Sequence, residues 1–270
     1  MLDLNLALQK VKKWAREVGE IQREHFRKEN IKINTKSTGV DLVTEVDELC
    51  EKHILSSIKE YYPLHGILSE EFGKDDLKSD YLWIVDPLDG TTNYAQGLPI
   101  FTVSIALEYN NETVLGVVYA PIVDQLFEAL KGKGAYLNGE KISVKNKSLL
   151  NQCVLATGFP YDRALAKDNN VNYFAQFVPK VRGLRRMGSA AYDLASVALG
   201  SLDGYWELNL SPWDIAAGKL ILEEAGGRVI FLKEKRGISL IAGNEIICQK
   251  ILTEIQCVDK MNLTKAKQGT

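Results

Sequence analysis

Residues 83–94 read Trp-Ile-Val-Asp-Pro-Leu-Asp-Gly-Thr-Thr-Asn-Tyr. An apolar run, Tyr81–Val85, gives way at Asp86 to a second acid, Asp89, and then to Gly90, Thr91 and Thr92. A short apolar run bounded by turn residues reads as a buried strand, and Asp86-Pro87-Leu88-Asp89 reads as a proline-containing turn at its end. Two readings of the acids stand side by side: they hydrogen-bond the backbone of the turn, or they face a cation. Ligands gather at strand ends in sheets flanked by helices, and the N–H groups of a Gly-Thr-Thr turn suit a phosphate. Divalent ions with a phosphate beside them fit both halves of the stretch.

The composition is that of an ordinary globular chain. With 270 residues, 46% hydrophobic and 25% charged, it is long enough to bury most of its surface as one large unit or two packed halves. A formal net charge of −2 gives no polyelectrolyte attraction to nucleic acid or anionic lipid, so no direct nucleic-acid binding is expected. No apolar stretch approaches the ~18 residues that suggest a membrane span. The start, Met-Leu-Asp-Leu-Asn, lacks the basic and apolar regions of an export signal. Cys50, Cys153, Cys248 and Cys257 form neither a CxxC pair nor a zinc spacing and read as reduced thiols of a cytoplasmic protein.

Periodicity divides the chain. Leu4, Leu8, Val11, Trp14, Val18 and Ile21 recur at helical spacing over residues 3–28. A second amphipathic helix is predicted from Leu42 to Tyr61, with Val46, Leu49, Ile54 and Ile58 inward and Pro63 beyond its end. The period then changes to two. Strands are predicted at Tyr81–Val85, Phe101–Tyr109, Thr113–Ala120 and Gln125–Leu130, with hairpin turns at Asn110-Asn111 and Leu137-Asn138-Gly139-Glu140. Consecutive hairpins imply a largely antiparallel sheet. Strands and helices then alternate: strand Cys153–Thr157, helix Asn172–Val178, strand Arg182–Arg185, helix Ser189–Leu199 with a serine cap and Gly200 at its end, strand Gly204–Leu208 and helix Trp213–Ala225. Strand Ser239–Ala242, helix Glu245–Ile255 and a frayed tail after Asp259 close the prediction. The expectation is an N-terminal half, residues 1–150, carrying the antiparallel sheet and most of the acids, and a C-terminal half, residues 151–270, completing one compact unit.

Other acids carry the same double reading. Glu70 and Glu71 follow the apolar run Gly66–Leu68 and are either a solvated loop or carboxylates at a neighbouring strand end. Ser211-Pro212-Trp213-Asp214 has the form of a helix capping box with proline at the first position, and Thr44 with Asp47 has the same form. Glu207 reads as a strand-edge acid or as an acceptor for vicinal hydroxyls. Taken singly, each has a structural account. Together they make a set: hard divalent ions need oxygen ligands, and a two-ion site needs a shared carboxylate and further acids. Glu70, Asp86, Asp89 and Asp214 supply these.

With these residues in hand, the sequence resembles the inositol monophosphatase family of the lithium-sensitive, Mg2+-dependent phosphatase superfamily. Trp83–Tyr94 matches one family signature and Trp213–Gly227, WDIAAGKLILEEAGG, the other. Lys36, Asp41-Leu42-Val43-Thr44, Asp47 and Glu70-Glu71 match in order and spacing, and the likeness runs from about Leu4 to Ile255. The resemblance implies an α+β fold, the layered α/β/α/β/α sandwich of sugar phosphatases, a homodimer, and two to three Mg2+ ions per active site. It implies that Glu70, Asp86 and the Leu88 carbonyl bind one ion, that Asp86, Asp89 and Asp214 bind a second, and that Glu70 helps hold a third through water. Asp47 and Thr91 would orient and deprotonate the attacking water. The N–H groups of Gly90 and Thr91 would hold the phosphate. Asp89, Gly188, Ser189, Ala190, Glu207 and Asp214 would line the polyol pocket, Leu88 would also touch substrate, and Lys36 would sit in a mobile lid.

The expected activity is Mg2+-dependent hydrolysis of inositol 1-phosphate to myo-inositol and phosphate by metal-activated water, with no phosphoenzyme. Fructose-1,6-bisphosphatase and 3′-phosphoadenosine 5′-phosphate phosphatase are rivals that share this chemistry; Asn93-Tyr94 resembles the inositol branch. A regulatory, partner-binding protein that keeps the pocket is the rival from another class. Arg185-Arg186 reads as ion pairs near a subunit interface in preference to a second phosphate site. His25, His53 and His65 have no metal spacing and are given no catalytic role.

Overall fold

The structure is a computed structural model and describes residues 2–28, 33–35, 42–75, 77–232 and 236–268. Its first layer is a pair of amphipathic helices. α1 (Leu4–His25) starts at Asp3, whose carboxylate accepts from the N–H groups of Asn5 and Leu6, and buries Ala7, Val11, Trp14, Ala15 and Val18. A short antiparallel pair, β1 (Ile33–Thr35) and β2 (Leu42–Thr44), leads into α2 (Glu45–Tyr61). The helix predicted from Leu42 therefore begins later, because Thr44 caps it from extended backbone. Leu49, predicted inward, is 46% exposed; the core stripe is Val46, Cys50, Ile54 and Ile58, four residues apart at each step.

The second layer is an eight-stranded sheet in the order β10-β9-β8-β7-β6-β5-β3-β4. Its strands are β3 (Gly66–Ser69), β4 (Gly73–Lys74), β5 (Tyr81–Asp89), β6 (Thr102–Tyr109), β7 (Glu112–Ala120), β8 (Gln125–Leu130), β9 (Ala135–Leu137) and β10 (Glu140–Lys141). All neighbours are antiparallel except β3 and β5. Both predicted hairpin turns carry the positive φ angles that a two-residue turn requires: Asn110 at 50° and Asn111 at 62°, Asn138 at 50° and Gly139 at 88°. Alternation along β5 serves two cores. Trp83 and Val85 face α1 and α2, while Ile84 faces the other way.

That opposite face packs on α5 (Ala190–Leu199) and α6 (Pro212–Glu224), the middle layer. Beyond them lies a five-stranded sheet, order β12-β11-β13-β15-β14, made of β11 (Val154–Thr157), β12 (Gly183–Arg185), β13 (Gly204–Leu210), β14 (Arg228–Phe231) and β15 (Ile238–Gly243). Its outer face carries Leu155, Trp206 and Ile241 against α4 (Val171–Phe177) and α7 (Glu245–Gln268). The result is the α/β/α/β/α sandwich that the resemblance implied. α3 (Thr91–Ala95) is a short helix at the end of β5.

Three further features depart from the sequence expectation. β5 does not stop at Asp86 but runs to Asp89, with Asp86 opposite Ser104 and Asp89 opposite Thr102. One extra residue on β5 makes a bulge where a turn was predicted, and a bulge accommodates Pro87 because no ladder N–H is needed there. α7 continues to Gln268 where fraying was predicted: Val258 extends the buried stripe of Ile251 and Ile255, and the Tyr173 hydroxyl donates to Asp259 at 2.5 Å. β14 was not predicted, although Val229-Ile230-Phe231-Leu232 directly after Gly226-Gly227 has the form of a strand; it is an edge strand with exposed Arg228 and Phe231.

Candidate active site

The β5 bulge turns two acids toward one point. Asp86 Oδ1 accepts from the Leu88 N–H at 3.0 Å, and Gln22 of α1 pins the bulge from behind, its Nε2 donating to the Pro87 carbonyl at 2.8 Å. Asp89 Oδ2 accepts from the Ser189 hydroxyl at 2.6 Å and the Ala191 N–H at 2.8 Å, so the first turn of α5 holds it. Asp214 comes from the start of α6 and accepts from the Ser211 N–H at 2.7 Å in a capping box. Asp86, Asp89 and Asp214 each place a carboxylate oxygen within 4.8 Å of the others, the one such three-residue cluster of acids, histidines or cysteines among the described residues. The structural and ligand readings of Asp214 are thus compatible: it caps its helix and joins the cluster.

Three acids at this spacing repel by roughly 3 kcal/mol per ionised pair at an effective dielectric near 20. Burial, then Glu70, Asp89 and Asp214, push the Asp86 pKa well above the ordinary carboxylate value. Burial raises Asp89 against the hydrogen bonds from Ser189 and Ala191. Burial and then the Asp89 charge raise Asp214 well above its ordinary value. The donor set is a test of what belongs here. It is all oxygen, without imidazole or thiolate, and among the described residues no lysine or arginine forms an ion pair with it. A hard divalent cation fits such a set and relieves its repulsion.

Beside the cluster, Thr91 Oγ1 lies 3.0 Å from Asp47 Oδ1 and 3.1 Å from the Leu88 carbonyl. Asp47 is fully buried, and its Oδ2 accepts from the N–H and hydroxyl of Thr44 at 2.9 and 2.5 Å. The predicted capping box is present, and its acid also reaches Thr91. Burial raises the Asp47 pKa, opposed by the hydrogen bonds of Thr44 and Thr91. Gly90, between Asp89 and Thr91, has φ of 101°, and a Cβ there would meet the Gly188 and Ile100 carbonyls at 3.1 Å. Only glycine suits that crossing of two loops.

These groups open into a cavity of about 270 Å³. Glu70, Asp86, Leu88, Asp89, Gly90 and Thr91 line it at the ends of β3 and β5; Gly188, Ser189 and Ala190 line it from the start of α5, Glu207 from β13 and Asp214 from α6. Asp47 lies behind Thr91, and Lys36 lies outside the described residues. Glu70 lines the cavity but is not part of the 4.8 Å cluster. Its loop is held by Glu51, buried on α2, whose Oε1 accepts from the Ser69 hydroxyl and the N–H groups of Glu71 and Phe72.

Glu51 was not singled out in the sequence, nor were Phe159, Pro160 and Tyr161, which also line the cavity. The signal for the latter was a Gly-Phe-Pro-Tyr turn directly after a predicted strand, the same strand-end logic as at Asp86. The arginine pair separates. Both are exposed; Arg185 bonds the Leu184 carbonyl at 3.0 Å, whereas Arg186 lines the cavity, where its charge opposes the burial that raises the pKa values of Asp89, Asp193 and Glu207.

Residues 5–260 match the family profile described as the inositol monophosphatase family. The chain belongs to the inositol monophosphatase family. Membership makes it a phosphatase by class. It is 41% identical to the Nus factor SuhB of Pseudomonas aeruginosa over 94% of this chain and 95% of that protein. It is 40% identical to the fructose-1,6-bisphosphatase/inositol-1-monophosphatase of Aquifex aeolicus over 87% of this chain and 89% of that one. The solved inositol monophosphatase of Anabaena superposes with a TM-score of 0.84 at 38% identity, covering 94% of this chain and 97% of the other. No helix among the described residues is long and apolar enough to cross a membrane.

Proposed function

We propose that the chain hydrolyses inositol 1-phosphate and related polyol monophosphates in a Mg2+-dependent reaction. One observation carries the reading: the Asp86, Asp89 and Asp214 cluster stands beside a Thr91–Asp47 pair in a cavity whose opposite side presents Glu207. Asp86, Asp89, Asp214, Glu70 and the Leu88 carbonyl would hold two to three ions. Bound there, Mg2+ would neutralise phosphoryl charge and acidify a water.

The remaining work falls to the chain. Asp47 accepts the Thr91 hydroxyl proton in a hydrogen bond, which turns a Thr91 lone pair outward to accept from the attacking water and aim it in line. The N–H groups of Gly90 and Thr91 donate to the phosphoryl oxygens. Glu207 accepts hydroxyls of the polyol, and Ser189 and Ala190 complete that side of the pocket. Burial raises the Glu207 pKa to about 6, opposed by Arg186 and the Tyr205 hydroxyl; in its carboxylate form Glu207 accepts hydroxyls.

A second reading has its own observation. Arg186, with Arg163, flanks a recess of about 470 Å³ that shares Gly90, Phe159 and Gly188 with the main cavity. Such a recess suits a distal phosphate, and the name of the Aquifex relative pairs both activities. Phosphate release from inositol 1-phosphate, fructose 1,6-bisphosphate and 3′-phosphoadenosine 5′-phosphate, with and without Mg2+, separates the readings. Mg2+-dependent turnover led by inositol 1-phosphate is expected. Turnover of a bisphosphate alone transfers the chain to a sister activity, and no metal-dependent turnover of any of the three sinks the proposal.

A further inference from the structure

Glu207 occupies an unusual place. It lies on β13 two residues after Tyr205, so both side chains leave the same face of the strand. The Tyr205 hydroxyl donates to Glu207 Oε2 at 2.5 Å, and Tyr205 itself is fully buried. On the neighbouring strand, β11 runs into Gly158, and the Glu207 carboxylate rests directly on its backbone. A Cβ at residue 158 would stand 1.9 Å from Oε1 and 2.1 Å from Oε2, far inside any real contact. Among the described residues Glu207 accepts no hydrogen bond other than the one from Tyr205, which leaves Oε1 open to the cavity. Asp193, on the α5 side and 1% exposed, has no hydrogen bond for its own Oδ1 and gives Glu207 none. A carboxylate on a three-bond stem is thus fixed by one donor and one missing side chain.

We infer that Gly158 and Tyr205 are positioning residues that seat Glu207 as a rigid acceptor for a pair of substrate hydroxyls, and so set the preference for polyol phosphates over phosphate esters without hydroxyls. The inference rests on the assignment of Glu207 to the polyol made above. Its physical basis is preorganisation: a site built to accept a hydroxyl discriminates strongly against substrates that lack one only if the acceptor cannot swing away. A methyl at residue 158 drives Glu207 off its seat and into the cavity. Loss of the Tyr205 hydroxyl leaves Oε2 without a donor and frees the stem.

The test uses two substrates at saturating Mg2+: inositol 1-phosphate and 4-nitrophenyl phosphate, which offers Glu207 no hydroxyl. Gly158→Ala adds one methyl at an ordinary φ, and Tyr205→Phe keeps the ring in the core. In each, the ratio of the two KM values, inositol 1-phosphate over 4-nitrophenyl phosphate, is expected to rise about tenfold, the effect of one lost hydrogen bond, while kcat for inositol 1-phosphate stays within about twofold. A ratio that holds at its wild-type value in both variants, or a loss confined to kcat, overturns the inference. If one variant melts early, the other decides the matter alone. Glu207→Gln separates the two levels. Should it leave the ratio unchanged, the polyol assignment is what fails; should it raise the ratio while Gly158→Ala and Tyr205→Phe do not, the seat fails and the assignment stands.

Discussion

Thr91 holds a single hydroxyl proton between two acceptors, Asp47 Oδ1 and the Leu88 carbonyl. Whichever accepts it, the lone pairs of Oγ1 are left for a water in the cavity. Thr91→Val keeps the shape and removes the hydroxyl. Its kcat is expected to fall about 100-fold or more, in the range of general acid–base contributions, with KM for inositol 1-phosphate changed only a few-fold. The buried Asp47 oxygen left without its donor costs about 1–3 kcal/mol of stability. Thr91→Ser retains most activity if the hydroxyl is what matters; a Val variant as active as the Ser variant in phosphate-release assays removes Thr91 from the mechanism. At this scale the sequence was readable for charged and hydroxyl residues in dense motifs, because their types advertise chemistry. It was silent on Gln22, Glu51 and Gly158, whose contributions depend on what a distant element puts against them.

Elements carry the acids to their places, and α1 does so without contributing one. Gln22 lies a full helix away from the sequence motif, yet its amide tethers the Pro87 carbonyl, while its own main-chain carbonyl accepts from the Tyr94 hydroxyl at 2.8 Å. Its Oε1 is buried with no partner. Gln22→Leu removes an unsatisfied acceptor but leaves the buried Pro87 carbonyl without its donor, and these opposing effects of about 1–3 kcal/mol each largely offset. The melting temperature is expected to change little, whereas the Mg2+ dissociation constant, read by titration calorimetry, rises several-fold because the bulge is untethered. An unchanged Mg2+ affinity would show that the bulge holds its shape without α1. Element types were legible wherever period and caps agreed, as in α5 and α6 with Ser189, Gly200, Ser211 and Pro212. They were misread where one local rule competed with another. Pro87 signalled a turn, but the sheet absorbed it as a bulge. The polar end of α7 signalled fraying, but Val258 continued the buried stripe.

The whole molecule brings Asp86 and Asp89 of the first sheet against Asp214 of α6 in one largely buried cluster, so its stability depends on what neutralises them. If the cluster holds Mg2+ as proposed, the ion at about a hundredfold its dissociation constant would add about 2.7 kcal/mol, expected as a rise of several degrees in the melting temperature that a chelator reverses. Asp86→Asn removes a charge that burial and its neighbours disfavour. That variant is expected to melt above the wild type without metal, and to lose the Mg2+-dependent rise; a lower metal-free melting temperature would contradict the repulsion argued here. A second global effect comes from His65. Its ring stacks between Tyr62 and Tyr81, and its Nδ1 accepts from the Trp83 indole N–H at 3.2 Å. Burial lowers its pKa, so the folded protein favours neutral imidazole. Stability from this contact is complete above the unfolded value of about 6.5 and is lost as pH falls from there through the lower folded value. Urea midpoints should drop more between about pH 7.5 and pH 5 in the wild type than in His65→Phe, and equal slopes would clear His65. The layered architecture was legible because two signatures far apart in the chain point to one family. The resemblance also put Asp89 beside Ser189, but the Ala191 N–H that holds Asp89 and the meeting of Glu207 with Gly158 were not legible, since each is a contact between elements that no local pattern encodes.

The cluster also has a history in time. Asp86 and Asp89 leave the ribosome with β5, whereas Asp214 follows only with α6, after most of the second sheet has been made. At ~5–20 residues per second, translation leaves the two acids waiting on the order of ten seconds for the third. During that interval Asp86 and Asp89 stand at the end of β5 without the α6 acid beside them, and the Ser189 hydroxyl and Ala191 N–H that hold Asp89 arrive before Asp214 does. The newborn chain therefore gains the α5 contact of Asp89 before the charge of Asp214, an order that lets α5 dock on the first sheet before the cluster's repulsion is complete.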